Sequence, residues 1–270
     1  MVVIYFSGTG NSRFVAERLA EKMGAACHSI EEELDFSDLL AKVETVAVCY
    51  PIYGGCVPRL MREFAARHRG VLSGKRLVIL CTQMMFSGDG ARAFARLLPG
   101  CEERVIYAEH ISMPNNMCNV PILPVREAER RRKIRQAEAR LDVICEHLRA
   151  GKVKRRGWGR FSALLGKSQS AHFPETEEKN RGSFTADGDC TGCGLCVAAC
   201  PMGNLVRMET GKIQQRNNCM LCYRCVNLCP RQAATVLLHN KPKRQYRGPM
   251  GTGFSAPAGD KGNLSSRQSR

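Results

Sequence analysis

Long apolar runs are missing from this chain of 270 residues. The opening stretch Val2–Phe6 is apolar but far shorter than a signal h-region or a membrane span. The expectation is therefore a cytoplasmic protein with no membrane span. Histidine in ligand spacing is missing too: none of His28, His68, His110, His147, His172 and His239 stands close in sequence to another His or a Cys pair. Aromatics are few, at 6% with a single Trp. None is interleaved with basic residues in a reading motif, so nucleic acid is not expected as a partner.

Acidic residues are in deficit, 25 against 41 Lys/Arg, for a net charge of +16. The excess is local. Between Pro121 and Ser170 stand 14 Lys/Arg against 5 Asp/Glu, and residues 241–270 hold 7 against one. Such a field suits an acidic redox partner, or else is an ordinary solvated face.

Without a secretory context, the 15 cysteines do not read as a disulfide framework. In a reduced compartment clustered cysteines more often hold metal. Cys27, Cys49, Cys56, Cys81, Cys101, Cys118 and Cys145 are scattered and read as small buried hydrophobes. The other eight are clustered.

An apolar fraction of 44% is enough for a sizeable core. Over residues 1–150, strand-like runs (Val2–Phe6, Ala26–Ile30, Thr45–Tyr50, Leu77–Thr82, Arg104–Ala108) alternate with helical stripes. Val15, Leu19 and Met23 form one stripe, and Val57, Leu60, Met61 and Phe64 a second. Phe94, Leu97 and Leu98 form a third, and Ile134, Ala137, Leu141, Ile144 and Leu148 a fourth. Unbroken apolar strands between amphipathic helices predict an α/β fold with a parallel five-stranded sheet. Residues 151–183 read as a basic linker, with Trp158, Phe161, Leu164 and Leu165 available for packing. Residues 184–240 form a cysteine domain, and 241–270 a basic, disordered tail.

Cys190, Cys193, Cys196 and Cys200 precede Pro201; Cys219, Cys222, Cys225 and Cys229 precede Pro230. Both runs read C-x₂-C-x₂-C-x₃-C-P. Three thiolates in one tight turn can face the corners of one cubane, whereas a zinc knuckle has no use for a third Cys at that spacing. This segment resembles the bacterial-type two-cluster ferredoxins at every ligand position, and Asn204–Met208 and Ala234–Leu238 fall where that small fold has its paired strands. In such runs the fourth Cys completes the other cluster. The resemblance implies one [4Fe–4S] cluster on Cys190, Cys193, Cys196 and Cys229, and a second on Cys219, Cys222, Cys225 and Cys200.

The first strand runs into Ser7-Gly8-Thr9-Gly10-Asn11-Ser12 and then a helix. Backbone amides, hydroxyls and the helix dipole there make an anion site, or else an ordinary tight βα turn. A Rossmann fingerprint needs Gly where Arg13 stands, and a P-loop needs a Gly-Lys pair. The loop resembles the FMN-phosphate loop of flavodoxins. Pro51-Ile52-Tyr53-Gly54 and the stretch holding Thr82, Gln83, Met84, Phe86, Gly88 and Asp89 resemble that family's two flavin-ring loops. The resemblance implies a sheet of order 2-1-3-4-5 with FMN, rather than FAD or NAD(P), at the switch point. Flavodoxins often sandwich the ring between Trp and Tyr; only Tyr53 and Phe86 are available in these loops, and Tyr53 also reads as plain loop packing. Asp89 reads as the cap of a helix starting near Gly90.

In its order of domains the chain resembles a family of fused flavodoxin–ferredoxin proteins from anaerobes, and Gln245–Pro249 resembles its tail. The expected function is electron transfer between FMN, two clusters and redox partner proteins. The alternative is a flavin-dependent reductase of a small molecule, fed by its own ferredoxin domain.

Overall fold

The computed structural model describes residues 1–254; the part of the expected disordered tail over 255–270 lies outside the described residues. The N-terminal part runs β1 (Val2–Tyr5), α1 (Asn11–Met23), β2 (Ala26–Ser29), α2 (Phe36–Ala41), β3 (Thr45–Pro51), α3 (Arg59–Arg67), α4 (Arg69–Leu72), β4 (Arg76–Gln83), α5 (Gly90–Ala95), β5 (Val105–Ser112) and α6 (Glu127–Arg149). These strands pair in parallel in the order 2-1-3-4-5. A sheet covered on both faces needs apolar side chains on both, hence the unbroken strands. Ile4, Val48 and Ile79 enter one core, closed by Met61, Phe64 and Phe94. Val3, Ala47 and Leu80 enter the other, closed by Val15 and Leu19 of α1 and by Ile134, Leu141 and Ile144 of α6. The short α2 shows no helical period in sequence. It is fixed by its cap, with Asp35 accepting from the Asp38 N–H at 3.0 Å.

The expected count of five strands is corrected to six, because β6 (Lys154–Arg155) lies parallel beside β5 at the sheet edge. The cause is a buried carboxylate. β5 continues past Ala108 to Ser112, and Glu109, fully buried, accepts from Arg140, from Lys154 at 3.0 Å and from Arg156 at 2.9 Å. Burial pushes its acidity down, but the hydrogen bonds of Arg156 and Lys154 and the charge of Arg140 outweigh that and hold its pKa at about 2. Two of those cations flank or lie in β6, so they pin the segment to the sheet.

The remainder of 151–183 is folded rather than an open tether. It forms α7 (Arg160–Ser170) and α8 (Phe173–Lys179). Trp158 packs on the first core with Arg92 over its ring, while Phe161 and Leu164 stay exposed. Buried Glu177 on α8 accepts from Arg62 on α3 at 2.6 Å.

The C-terminal part holds β7 (Thr185–Ala186), α9 (Leu195–Ala199), β8 (Leu205–Arg207), β9 (Ile213–Gln215), α10 (Arg224–Leu228) and β10 (Ala234–Thr235). Asn204–Met208 and Ala234–Leu238 each contain a strand, in separate antiparallel pairs: β8 with β9, and β10 with β7. Disorder over 241–254 is also corrected. Tyr246 is fully buried, its hydroxyl donating to Asn11 Oδ1 at 2.5 Å and its N–H to Asn227 Oδ1 at 2.7 Å. The Gln245 amide donates to the carbonyls of Val226 and Cys229 at 2.8 and 2.7 Å. Among the described residues no helix is long and apolar enough to cross a membrane.

Candidate functional site

Between β1 and α1 the chain turns through buried Ser7, Thr9 and Ser12. Gly10 sits at φ 94°, a conformation that the missing Cβ permits, and its N–H donates to Ser7 Oγ at 3.1 Å. No side chain caps α1 and no acidic residue stands in its first turn, so its positive end is open to an anion. From behind, Arg224 donates to the carbonyls of Ser7 and Gly8 at 2.6 and 2.9 Å. C=O and the following N–H point oppositely in a trans peptide. Pinning those carbonyls therefore turns the N–H groups of Gly8 and Thr9 the other way. Arg224 is itself buried, paired with Glu31 at 2.7 and 2.5 Å and stacked over Phe6. A Cβ at Gly8 would lie 2.6 Å from Tyr53 Oη and 2.7 Å from the Cys222 carbonyl, so only Gly fits.

Above this loop, at the C-terminal ends of the strands, lies a cavity of about 370 Å³. That is the position at which an open α/β sheet takes its ligand. Ser7, Gly8, Thr9, Asn11 and Ser12 line one end, and Pro51, Ile52, Tyr53, Gly54, Thr82, Gln83 and Met84 line the walls. Four of the residues expected there stand elsewhere. Gly10 shapes the turn without lining the cavity, and Phe86 is exposed. Gly88 is covered by the α7 backbone, whose Ser162 carbonyl occupies its Cβ direction. Asp89 takes the cap position of α5 without making a capping bond, because its carboxylate pairs with Arg96 at 2.5 Å.

Sequence reasoning missed several lining residues. Met113, Pro114, Asn115, Asn116 and Met117 follow β5. Asn116 donates to Thr9 Oγ1 at 2.9 Å, and Asn11 donates to the Pro114 carbonyl at 3.0 Å. Paired Asn at the end of a strand was a readable signal. Buried Lys133 joins the two loops through the carbonyls of Met84 and Met113 at 2.5 and 3.2 Å. Phe173 and Thr176 come from α8; Leu221, Tyr223 and Leu237 come from the cysteine domain. No local pattern marked these. The hydroxyls of Tyr53 and Tyr223 are buried without a hydrogen-bond partner among the described residues. A cavity with amides and hydroxyls at one end and an aromatic, aliphatic body fits a phosphate ester carrying a planar apolar ring.

The cysteines line two further, smaller cavities. One is walled by Cys190, Cys193, Cys196 and Cys229, the other by Cys200, Cys219, Cys222 and Cys225. Each thus combines three cysteines of one run with the fourth of the other, and Phe184 borders both. Backbone N–H groups of Asn204, Leu221 and Ala233 donate to the sulfurs of Cys200, Cys219 and Cys229 at 3.3, 3.4 and 3.2 Å. Such bonds tune iron–sulfur ligands. Burial pushes the Cys196 thiol up to about 11 and that of Cys222 up to about 12, so a thiolate in either place needs an adjacent cation such as iron. Among the scattered cysteines, Cys49, Cys81, Cys101 and Cys145 are buried, and Cys27, Cys56 and Cys118 are half-buried.

Comparison with known proteins agrees with both halves of this picture. Residues 2–106 match the family model of the flavodoxin domain, and residues 184–243 that of the 4Fe-4S dicluster domain. The chain is a flavodoxin domain fused to a 4Fe-4S dicluster domain. Its function is electron transfer, and flavin and iron–sulfur are the cofactors these domains bring. Similar solved structures include the Megasphaera elsdenii flavodoxin, 21% identical, covering 42% of this chain and 84% of its own, with a TM-score of 0.34. A Streptococcus pneumonia TIGR4 flavodoxin is 19% identical, covering 55% and 96%, with a TM-score of 0.36. A flavodoxin from the domain Archaea is 14% identical, covering 55% and 97%, with a TM-score of 0.37. No curated protein matches the chain.

Proposed function

We propose that this chain is an electron carrier holding one FMN and two [4Fe–4S] clusters, and that it passes electrons on to a separate redox protein. The outer cluster takes Cys190, Cys193, Cys196 and Cys229; the inner takes Cys219, Cys222, Cys225 and Cys200. FMN takes the cavity above Ser7–Ser12. When bound, FMN exchanges electrons singly or in pairs and each cluster exchanges one.

One observation carries the reading. Tyr223 lines both the large cavity and the cysteine cavity of Cys219, Cys222 and Cys225, so one side chain separates the two sites. The loop amides hold the phosphate, Arg224 orients them, and Tyr53, Phe173 and Tyr223 exclude water from the ring. Cys193 at the other cavity is exposed and Arg231 lines its wall, which suits an acidic partner docking at the outer site. The reductase alternative needs an acid or base beside the ring. Asp89 is turned to Arg96, and the lining supplies hydroxyls, amides and apolar groups, which favours the carrier.

The test is metal and flavin analysis of full-length protein prepared anaerobically. About eight iron and one FMN per chain are expected. Iron near two per chain, tightly bound zinc, or FAD in place of FMN would overturn the assignment.

A further inference from the structure

The two cysteine runs repeat 29 residues apart, so their loops can be compared position by position. The backbone is the same in both: Gly192 and Gly194 sit at φ 65° and 79°, and their counterparts Leu221 and Tyr223 at φ 58° and 63°. This left-handed conformation suits Gly and strains a residue with a Cβ. The second run accepts that strain twice, between its own cysteines. A third pair, Gly203 and Gln232 at φ 58° and 55°, shows the same exchange away from the large cavity, so strain alone marks nothing.

What sets Leu221 and Tyr223 apart is where their side chains go. In the first run a Cβ at Gly192 would strike the Gly211 carbonyl, and one at Gly194 would meet open space. In the second run both side chains are buried and both line the large cavity of the other domain. The Tyr223 hydroxyl is buried with no hydrogen-bond partner among the described residues. The Leu221 N–H donates to Cys219 Sγ at 3.4 Å, so one residue touches a cysteine ligand with its backbone and the flavin cavity with its side chain.

We infer that Leu221 and Tyr223 are flavin-contact residues supplied by the second cysteine run. They close the ring end of the site, and the inner cluster is thereby the one set against the flavin. This rests on FMN filling the large cavity. It explains how a flavodoxin domain whose own ring loops bring a single aromatic, Tyr53, to the cavity completes its site.

The test titrates FMN into full-length, cluster-loaded protein after flavin removal, following fluorescence quenching, with iron content measured in parallel. The double variant Leu221→Gly/Tyr223→Gly restores the residues of the first run. It should keep its iron and bind FMN at least about tenfold more weakly, since two apolar contacts are lost. Tyr223→Leu removes only the aromatic ring and should weaken binding about three- to tenfold. FMN affinity within twofold of wild type in both variants, with iron retained, overturns the inference alone. If the double variant loses iron, Tyr223→Leu decides by the same criterion. Wild-type protein that takes up no FMN overturns the underlying assignment and the inference together.

Discussion

The outer and inner cysteine cavities share one spacing and one left-handed loop backbone, yet their surroundings differ. The outer cavity keeps Cys193 exposed and has glycines on its loop. The inner one lies under the flavodoxin domain, with Cys222 buried and Tyr223 and Arg224 where the outer run has Gly194 and Leu195. Arg224 donates to Ser7, Gly8 and the Ala199 carbonyl and pairs with Glu31, whereas Leu195 is exposed. A duplicated motif has thus diverged by what each copy faces: one copy meets solvent, the other meets the large cavity.

The sharpest way to test that comparison is at the shared fourth ligands. Cys229→Ser should abolish the outer cluster and leave the inner one, and Cys200→Ser the reverse. Iron content and the spectra of the remaining cluster check it; damage to the cluster nearest in sequence would refute the crossed arrangement. Next in size is the ion pair that only the inner copy has. Arg224→Met leaves Glu31 half-buried and unpaired, which should cost about 3–5 kcal/mol in denaturant unfolding, and adding Glu31→Leu should recover much of it.

Acid should act first at the far sheet edge, outside both cavities. Burial, and secondarily Arg156, lower the His110 pKa from 6.5 to about 4. The unfolded chain then binds the extra proton, so stability present above pH 6.5 falls towards pH 4, by on the order of 3 kcal/mol. Glu109, lowered from 4.5 to about 2, adds a second loss as pH falls from 4.5 through 2. Urea midpoints against pH should show both windows; His110→Gln should flatten the first and Glu109→Gln the second. Smallest is the effect at the phosphate end. Thr9→Val removes a hydroxyl and should weaken FMN by about 1.5–3 kcal/mol, roughly ten- to a hundredfold, with iron unchanged. Retained affinity in a titration would place the phosphate elsewhere.

Whatever is local was legible in the order of residues. Three cysteines of a cluster fit in one turn, and a strand, small-residue loop and helix make an anion site from neighbouring residues, so Cys190–Cys200, Cys219–Cys229 and Ser7–Ser12 declared themselves by spacing. The five strands and four helical stripes followed because burial on two faces or one imposes its own period. Tertiary structure decided everything that rests on distant partners. β6 is two residues long and exists because Glu109 gathers cations from α6 and from residues 154–156. The segment Lys241–Phe254 has the composition of a tail but is held by Tyr246 on Asn11, 235 residues away, and by Gln245 on the end of α10. Phe86 was next to the right loop and points to solvent, while Phe173 and Tyr223 reach the cavity from other parts of the chain. Spacing reveals a ligand set that one turn can assemble; a pocket wall made by two domains leaves no period in either, because only their packing brings its residues together.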